Sequence, residues 1–190
     1  MIAGVDEAGR GPWAGPVFAA AVVLPADTEI FKGVYDSKGL SAKKREQWFE
    51  IICKHSISYA VAEVSAAIID EINILQATML AMQRAIAGLE GNLTQVLIDG
   101  NQCPENIPHA KAIINGDKKI LQISAASILA KVCRDRHMQT LDKNYPEYAF
   151  AQHKGYGTKL HQQNLRLYGP CKEHRYSYKP IQALVKINKN

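Results

Sequence analysis

Two neighbouring carboxylates close a short apolar run near the start of the chain, in Ile2-Ala-Gly-Val-Asp6-Glu7-Ala-Gly9-Arg10-Gly11-Pro12-Trp13-Ala-Gly15-Pro16. Successive strand residues point to opposite faces, so a regular strand would send Asp6 and Glu7 apart. Both serve one site only where the strand runs out and the chain turns. An acid pair held together there repels itself unless a cation lies between the two groups. The arrangement therefore predicts a metal, against the commoner fate of an acidic pair, exposure in a loop.

The same stretch fits a dinucleotide fingerprint, because Gly9-Arg-Gly11-Pro-Trp-Ala14 matches G-x-G-x-x-A after a strand. That fingerprint works by presenting a helix N-terminus to a pyrophosphate. Here the glycines follow two carboxylates, which would repel it. The continuation Pro16-Val-Phe-Ala-Ala-Ala-Val-Val-Leu24-Pro25 predicts a second strand, over 16–24, where the fingerprint needs a helix.

Further on, strand and helix patterns alternate without an obvious linker, as one domain of 190 residues would require. The loop Val34-Tyr35-Asp36-Ser37-Lys38-Gly39-Leu40-Ser41 leads to a helix over 42–54, with Ser41 as its N-cap. Alternation over 57–64 predicts a third strand. Helix follows in two pieces, 66–71 and 73–88, stopped by Gly88 and Gly91.

Two later strands each end near a carboxylate. Gln95-Val-Leu-Ile-Asp99-Gly100 reads as a buried strand delivering Asp99 to a sheet edge, where open α/β sheets collect ligands. An ordinary Asp-Gly turn is the alternative. Ala110-Lys-Ala-Ile-Ile114-Asn115-Gly116-Asp117 repeats the theme before a helix over 119–139. Asp117 also suits a structural role as that helix's cap, and the two roles are compatible. Lys131 and Asp135, four apart in the helix, read as a structural pair.

Asp6, Glu7, Asp99 and Asp117 supply hard oxygen donors with no His or Cys beside them, a set suited to Mg²⁺ or Mn²⁺ and not to zinc. Two such ions activate a water and steady the leaving oxygen in an in-line displacement at phosphorus. Charge placement agrees. Residues 151–190 hold eight Lys or Arg against one acid, Glu173, whereas the first 150 hold 15 basic and 17 acidic groups. A basic end on a near-neutral body suits a phosphate backbone, a solvated basic surface being the plainer reading. Hydrolysis of nucleic acid is the leading class. A binding-only module would not need the four acids, which repel phosphate unless a cation is present.

No apolar run is long enough to span a bilayer, and no basic-then-apolar signal opens the chain, so a cytoplasmic protein is expected. Cys53, Cys103, Cys133 and Cys171 are too scattered for a disulfide framework and read as reduced thiols. Cys171-Lys-Glu-His174 has half the spacing of a zinc site, but no second pair accompanies it.

Taken together, Asp6-Glu-Ala-Gly-Arg-Gly-Pro-Trp-Ala-Gly-Pro16, Asp36-Ser-Lys38, Asp99-Gly, Gly116-Asp117, Ile123-Ser-Ala-Ala-Ser-Ile-Leu-Ala-Lys-Val-Cys-Arg-Asp135 and His153-Lys-Gly-Tyr-Gly-Thr158 closely resemble ribonuclease HII, over residues 2–178. The resemblance implies an α/β ribonuclease H-like fold. Its sheet is mixed and five-stranded, flanked by helices, and a basic, mostly helical C-terminal part covers about 140–190. It also implies an endonuclease that cuts RNA paired with DNA and single ribonucleotides embedded in duplex DNA; a monomer is expected. Cleavage falls 5′ of the ribonucleotide and leaves 3′-hydroxyl and 5′-phosphate ends.

By position, Asp6, Glu7, Asp99 and Asp117 fall on the family's metal-binding acids. Gly9, Arg10 and Gly11 fall on its turn that reads the ribose 2′-hydroxyl, the group that distinguishes RNA from DNA. Tyr156 matches the tyrosine that packs on the sugar at the RNA–DNA junction, and Ser37 and Lys38 stand where the family contacts backbone phosphate. Gly39 replaces a frequent second lysine, and Trp13 an aliphatic residue. The related ribonuclease HIII group carries an added N-terminal domain and usually Glu as its last acid, which fits Asp117 less well. A sliding-clamp partner is possible but not indicated, since Gln182 to Lys189 holds no aromatic pair.

Overall fold

Every residue of the second strand, Val17–Val23, is buried, because this strand is covered on both faces. Val17, Ala19 and Ala21 belong to one apolar cluster, while Ala20 and Val22 belong to another on the opposite side. The period-two split is what a strand sandwiched between helical layers requires, and it explains an apolar run without alternation. In this computed structural model, residues 1–34 and 39–187 are described, the side chains of 186 and 187 aside.

Five strands form one sheet: β1 (Ile2–Ala8), β2 (Val17–Val23), β3 (Ser58–Val64), β4 (Gln95–Asp99) and β5 (Ala110–Ile113), in the order β3-β2-β1-β4-β5. β1 pairs antiparallel with β2, and β2 with β3; β1–β4 and β4–β5 are parallel. This is the mixed, five-stranded α/β sheet that the motifs imply.

Helix α1 (Ala42–His55) starts at Ser41, whose side chain accepts from the Lys44 N–H, as its sequence predicts. α2 (Ala66–Ala87) is broken at Asn73, whose φ of 66° and ψ of 166° leave the helix. The Asn73 Oδ1 then accepts from the N–H groups of Leu75 and Gln76 at 3.0 and 3.1 Å, restarting the helix as its cap. The expected two pieces are therefore real. α2 packs on one face of the sheet; α1 and α3 (Leu121–Asn144) cover the other.

The approach of α3 to β1 is close enough to require a glycine. A Cβ on Gly4 would stand 2.2 Å from the Gln122 carbonyl carbon, so only a residue without one lets the helix lie flat on the strand. Ala125, Ala126 and Ala130, all fully buried, continue the small face along the helix.

After α3 come α4 (Phe150–His153), α5 (Lys159–Tyr168) and α6 (Lys179–Ile187), short helices gathered on a third cluster that includes Met138, Tyr148, Phe150, Leu165 and Ile181. Trp13 packs against this cluster and fills the space a Gly157 side chain would need. No helix among the described residues is long and apolar enough to cross a membrane.

Candidate active site

The two halves of β1 end at different places. Its pairing with β4 stops at Val5↔Ile98, whereas its pairing with β2 continues through Asp6↔Ala20 and Glu7↔Ala19 to Ala8↔Phe18. The strand therefore does not run out at the acids, as the sequence suggests; it loses only one neighbour there. On the side so opened, Asp99 ends β4, one step beyond Ile98. The Asp99 Oδ1 accepts from the Gly116 and Asp117 N–H groups at 2.6 and 3.3 Å, which ties the turn after β5 to the end of β4.

Asp117 is buried in a short 3₁₀ turn, Gly116–Lys118. It is not the cap of α3: Ile120 occupies that position, and no side chain caps it. The turn instead joins the helix through its main chain, the Ser124 hydroxyl donating to the Asp117 carbonyl.

Burial and like charge act together on the opening pair. Asp6 is only 4% exposed, and its carboxyl is pushed well above the usual aspartate range by burial, with Glu7 and Asp99 adding repulsion. The Glu7 N–H and the Ser127 hydroxyl hydrogen-bond to Asp6 and oppose the shift. Glu7 is also raised by burial, and Arg10, 3.6 Å away, pulls it back. Asp6, Glu7 and Asp99 thus lie within one another's field. A site built of oxygen donors and short of positive charge fits a hard divalent cation. Among the described residues, however, no three such donors already surround one point closely enough to hold an ion.

The glycine turn adjoins these acids. Gly9 has a φ of +98°, and a Cβ there would meet the Arg134 Nε at 2.0 Å. No helix follows the turn, so the dinucleotide arrangement is absent. Tyr156, 46% exposed, stands beside Gly11, where an added Cβ would lie 3.6 Å from the tyrosine Cε1. Glu7, Gly9, Arg45, Ser127, Lys131, Arg134 and Tyr156 line one groove; Glu7, Arg10 and Asp99 border a second, so Glu7 stands between them. Ser37 and Lys38 lie outside the described residues.

Three groups were not singled out by their spacing. Ser127 reaches Asp6 from α3, and its signal was a hydroxyl within the run of small residues from 124 to 127. Arg134 and Arg175 are fully buried, with no carboxylate in ion-pair contact among the described residues. Arg134 donates to the carbonyls of Ala14, Pro16 and Lys154 at 3.0–3.1 Å, and burial lowers it to about 10, so it stays charged at neutral pH. It joins the glycine turn to the Tyr156 turn. Lys131 and Asp135 form the expected pair, at 2.6 Å.

The ribonuclease HII family model matches residues 3–181. The chain belongs to the ribonuclease HII family. It is 51% identical to ribonuclease HII of Acinetobacter baylyi over 189 residues, 99% of this chain and 100% of that one. Identity to ribonuclease HII of Francisella tularensis subsp. novicida is 50% over 185 residues, 97% and 100% of the two chains. Among solved structures, ribonuclease H2 from Pyrococcus horikoshii matches with a TM-score of 0.83 at 27% identity, covering 100% of this chain and 99% of that one. The Bst-RNase HIII solved in complex with Mn²⁺ shares the fold, with a TM-score of 0.73 at 17% identity over 99% of this chain and 70% of that one. As a member of the family, the enzyme is an endoribonuclease with ribonuclease H activity on RNA–DNA hybrids.

Proposed function

We propose that the enzyme cleaves both RNA–DNA hybrids and duplex DNA carrying a single ribonucleotide, 5′ of the ribonucleotide, leaving 3′-hydroxyl and 5′-phosphate ends. Asp6, Glu7, Asp99 and Asp117 hold two divalent ions, Mg²⁺ or Mn²⁺. The observation that carries this reading is the end of the β1–β4 pairing at Val5↔Ile98, which sets Asp6, Glu7 and Asp99 at one opened edge where burial and like charge favour a cation. Bound there, the ions supply an activated water and a charge to steady the leaving oxygen.

The chain's own groups do the rest. Glu7, the more open of the opening pair at 16% side-chain exposure, faces the groove where a phosphate would lie. The Gly9-Arg10-Gly11 turn brings main chain close enough to read a ribose 2′-hydroxyl, and the Tyr156 ring beside Gly11 packs on the sugar at the junction. Ser37 and Lys38 contact backbone phosphate. The 2′-hydroxyl is recognised and does not react. The enzyme acts as a single-domain monomer in the cytoplasm, its basic segment from about 140 to 190 turned to the duplex.

A labelled DNA duplex with one embedded ribonucleotide tests this. A single nick on the 5′ side, present with Mg²⁺ or Mn²⁺ and absent with a chelator, is expected. Cleavage indifferent to the chelator, or a 2′,3′-cyclic phosphate end, contradicts it.

A further inference from the structure

Arg175 belongs to the basic C-terminal segment, yet none of it is exposed to solvent. Its guanidinium points inward and meets main chain. Nη2 donates to the Gly9 carbonyl at 2.6 Å, Nη1 to the Arg10 carbonyl at 2.9 Å, and Nε to the Gly15 carbonyl at 3.0 Å. The Tyr178 hydroxyl accepts from Nη1 at 2.9 Å and donates to the same Arg10 carbonyl at 2.6 Å. The segment bearing Arg175 is itself fixed to the turn: its N–H donates to the Trp13 carbonyl and the Gly15 N–H to the Glu173 carbonyl, both at 2.8 Å. Asp70 accepts from the next two N–H groups, of Tyr176 and Ser177, at 2.8 Å.

Peptide planarity gives these contacts a consequence. In a trans peptide the C=O and N–H point to opposite sides. With the Gly9 and Arg10 carbonyls drawn onto Arg175, the N–H groups of Arg10 and Gly11 are turned to the other side. The same two residues border the acids and the exposed ring: the Arg10 side chain lies 3.6 Å from Glu7, and a Cβ on Gly11 would lie 3.6 Å from the Tyr156 Cε1. Two successive N–H groups so directed form a concave donor pair suited to a substrate oxygen. The guanidinium charge behind the same two peptides strengthens them as donors. Gly9 also packs against Arg134, whose Nε would stand 2.0 Å from a Cβ there.

We infer that Arg175 is a positioning residue for ribonucleotide specificity: from behind the turn it sets the two backbone donors, at Arg10 and Gly11, that read the 2′-hydroxyl. The inference rests on the proposed role of that turn. Lysine keeps the charge but loses the fork that holds three carbonyls at once. Tyr178→Phe removes one of the two donors on the Arg10 carbonyl and leaves Arg175 in place.

The test compares wild type, R175K and Y178F, each checked for folding by its melting temperature and circular dichroism. Two quantities are read: kcat/KM on a duplex with one ribonucleotide, with Mg²⁺, and affinity for the same duplex made wholly of DNA. R175K is expected to lose roughly tenfold or more in kcat/KM. Its affinity for the all-DNA duplex should stay within about twofold, and Y178F should show the same selectivity with a smaller loss. Folded variants that keep wild-type kcat/KM, or that lose cleavage and all-DNA affinity in proportion, overturn the inference. Should R175K not fold, Y178F decides by the same two quantities. Wild-type protein that leaves the ribonucleotide duplex intact overturns the functional reading itself, a separate result visible before any variant is made.

Discussion

The Nε2 atoms of His161 and His174 lie 3.0 Å apart, and both rings are fully buried. The neighbours fix which nitrogen carries each proton. The Tyr156 carbonyl, 3.0 Å from the His161 Nδ1, accepts only, so Nδ1 is protonated and Nε2 is not. The His174 Nε2 therefore donates, and its bare Nδ1 receives the Cys171 N–H at 3.0 Å. A one-directional chain of hydrogen bonds thus runs from Cys171 through two neutral imidazoles to the main chain of Tyr156. His153 stacks on His161 at 4.3 Å and accepts the Gly155 N–H, holding the other side of the same turn.

Acid should therefore destabilise this part of the fold. Burial lowers His161 from 6.5 to about 3 and His174 to about 4. Below pH 6.5 the unfolded chain takes up protons that the folded chain refuses. The stability these rings provide is whole above that pH and declines beneath it until the folded values are reached. The urea midpoint of wild type should exceed that of H161Q at pH 7.5. The difference in unfolding free energy from the same urea titrations should narrow by about 1–3 kcal/mol by pH 4.5. A gap that stays constant with pH is the contrary result.

Asp6→Asn should separate stability from activity. The folded state raises the Asp6 carboxyl, so its ionised form costs stability at neutral pH and that cost fades as pH falls toward 3.8. Asparagine keeps the oxygen that accepts the Glu7 N–H and removes the charge. At pH 7 without divalent ions, the variant should be more stable by on the order of 1 kcal/mol, as measured by thermal melting. Cleavage should fall by on the order of 10³-fold, with hybrid binding largely kept. A less stable variant, or an active one, would refute this.

Tyr156 is half exposed, so its loss should cost little stability, within about 0.5 kcal/mol. Tyr156→Ala should reduce kcat/KM most on duplexes with a single RNA–DNA junction, by about tenfold, which corresponds to about 1.4 kcal/mol of packing on the sugar. Tyr156→Phe keeps the stacking face and should retain most of that. Kinetics on junction and all-RNA hybrids decide it; equal losses on both would contradict the role.

Much of this was legible because the site sits on strands whose sequences declare themselves. Residues 2–5 and 95–98 are short, mostly apolar runs followed directly by acids, and parallel pairing of the two brings those acids to one edge. Asn73 and Gly88 bound the second part of α2 by local chemistry alone. What did not show was the inside of the C-terminal segment. Arg175 counted only as one charge of a basic end and His161 carried no signal, because a residue type does not reveal whether main-chain carbonyls will surround it. Only tertiary folding brings Gly9, Arg10 and Gly15 to Arg175, some 160 residues along the chain. The Cys171 and His174 pair, with its half-zinc spacing, does meet, at 3.3 Å, but as a link in the hydrogen-bond chain. Asp117 read as a helix cap as well as a ligand, and the cap role is excluded by a 3₁₀ turn its sequence does not announce.

The most direct measurement is Mn²⁺ binding, followed by electron paramagnetic resonance, on wild type and on the D6N, D99N and D117N variants, alone and with an uncleavable hybrid. If the four acids form one cation site, each single change should weaken Mn²⁺ binding by about tenfold or more and reduce cleavage with it. Mn²⁺ binding unchanged in D99N or D117N would mean that these carboxylates do not share an ion with Asp6 and Glu7, and the proposed site would fall.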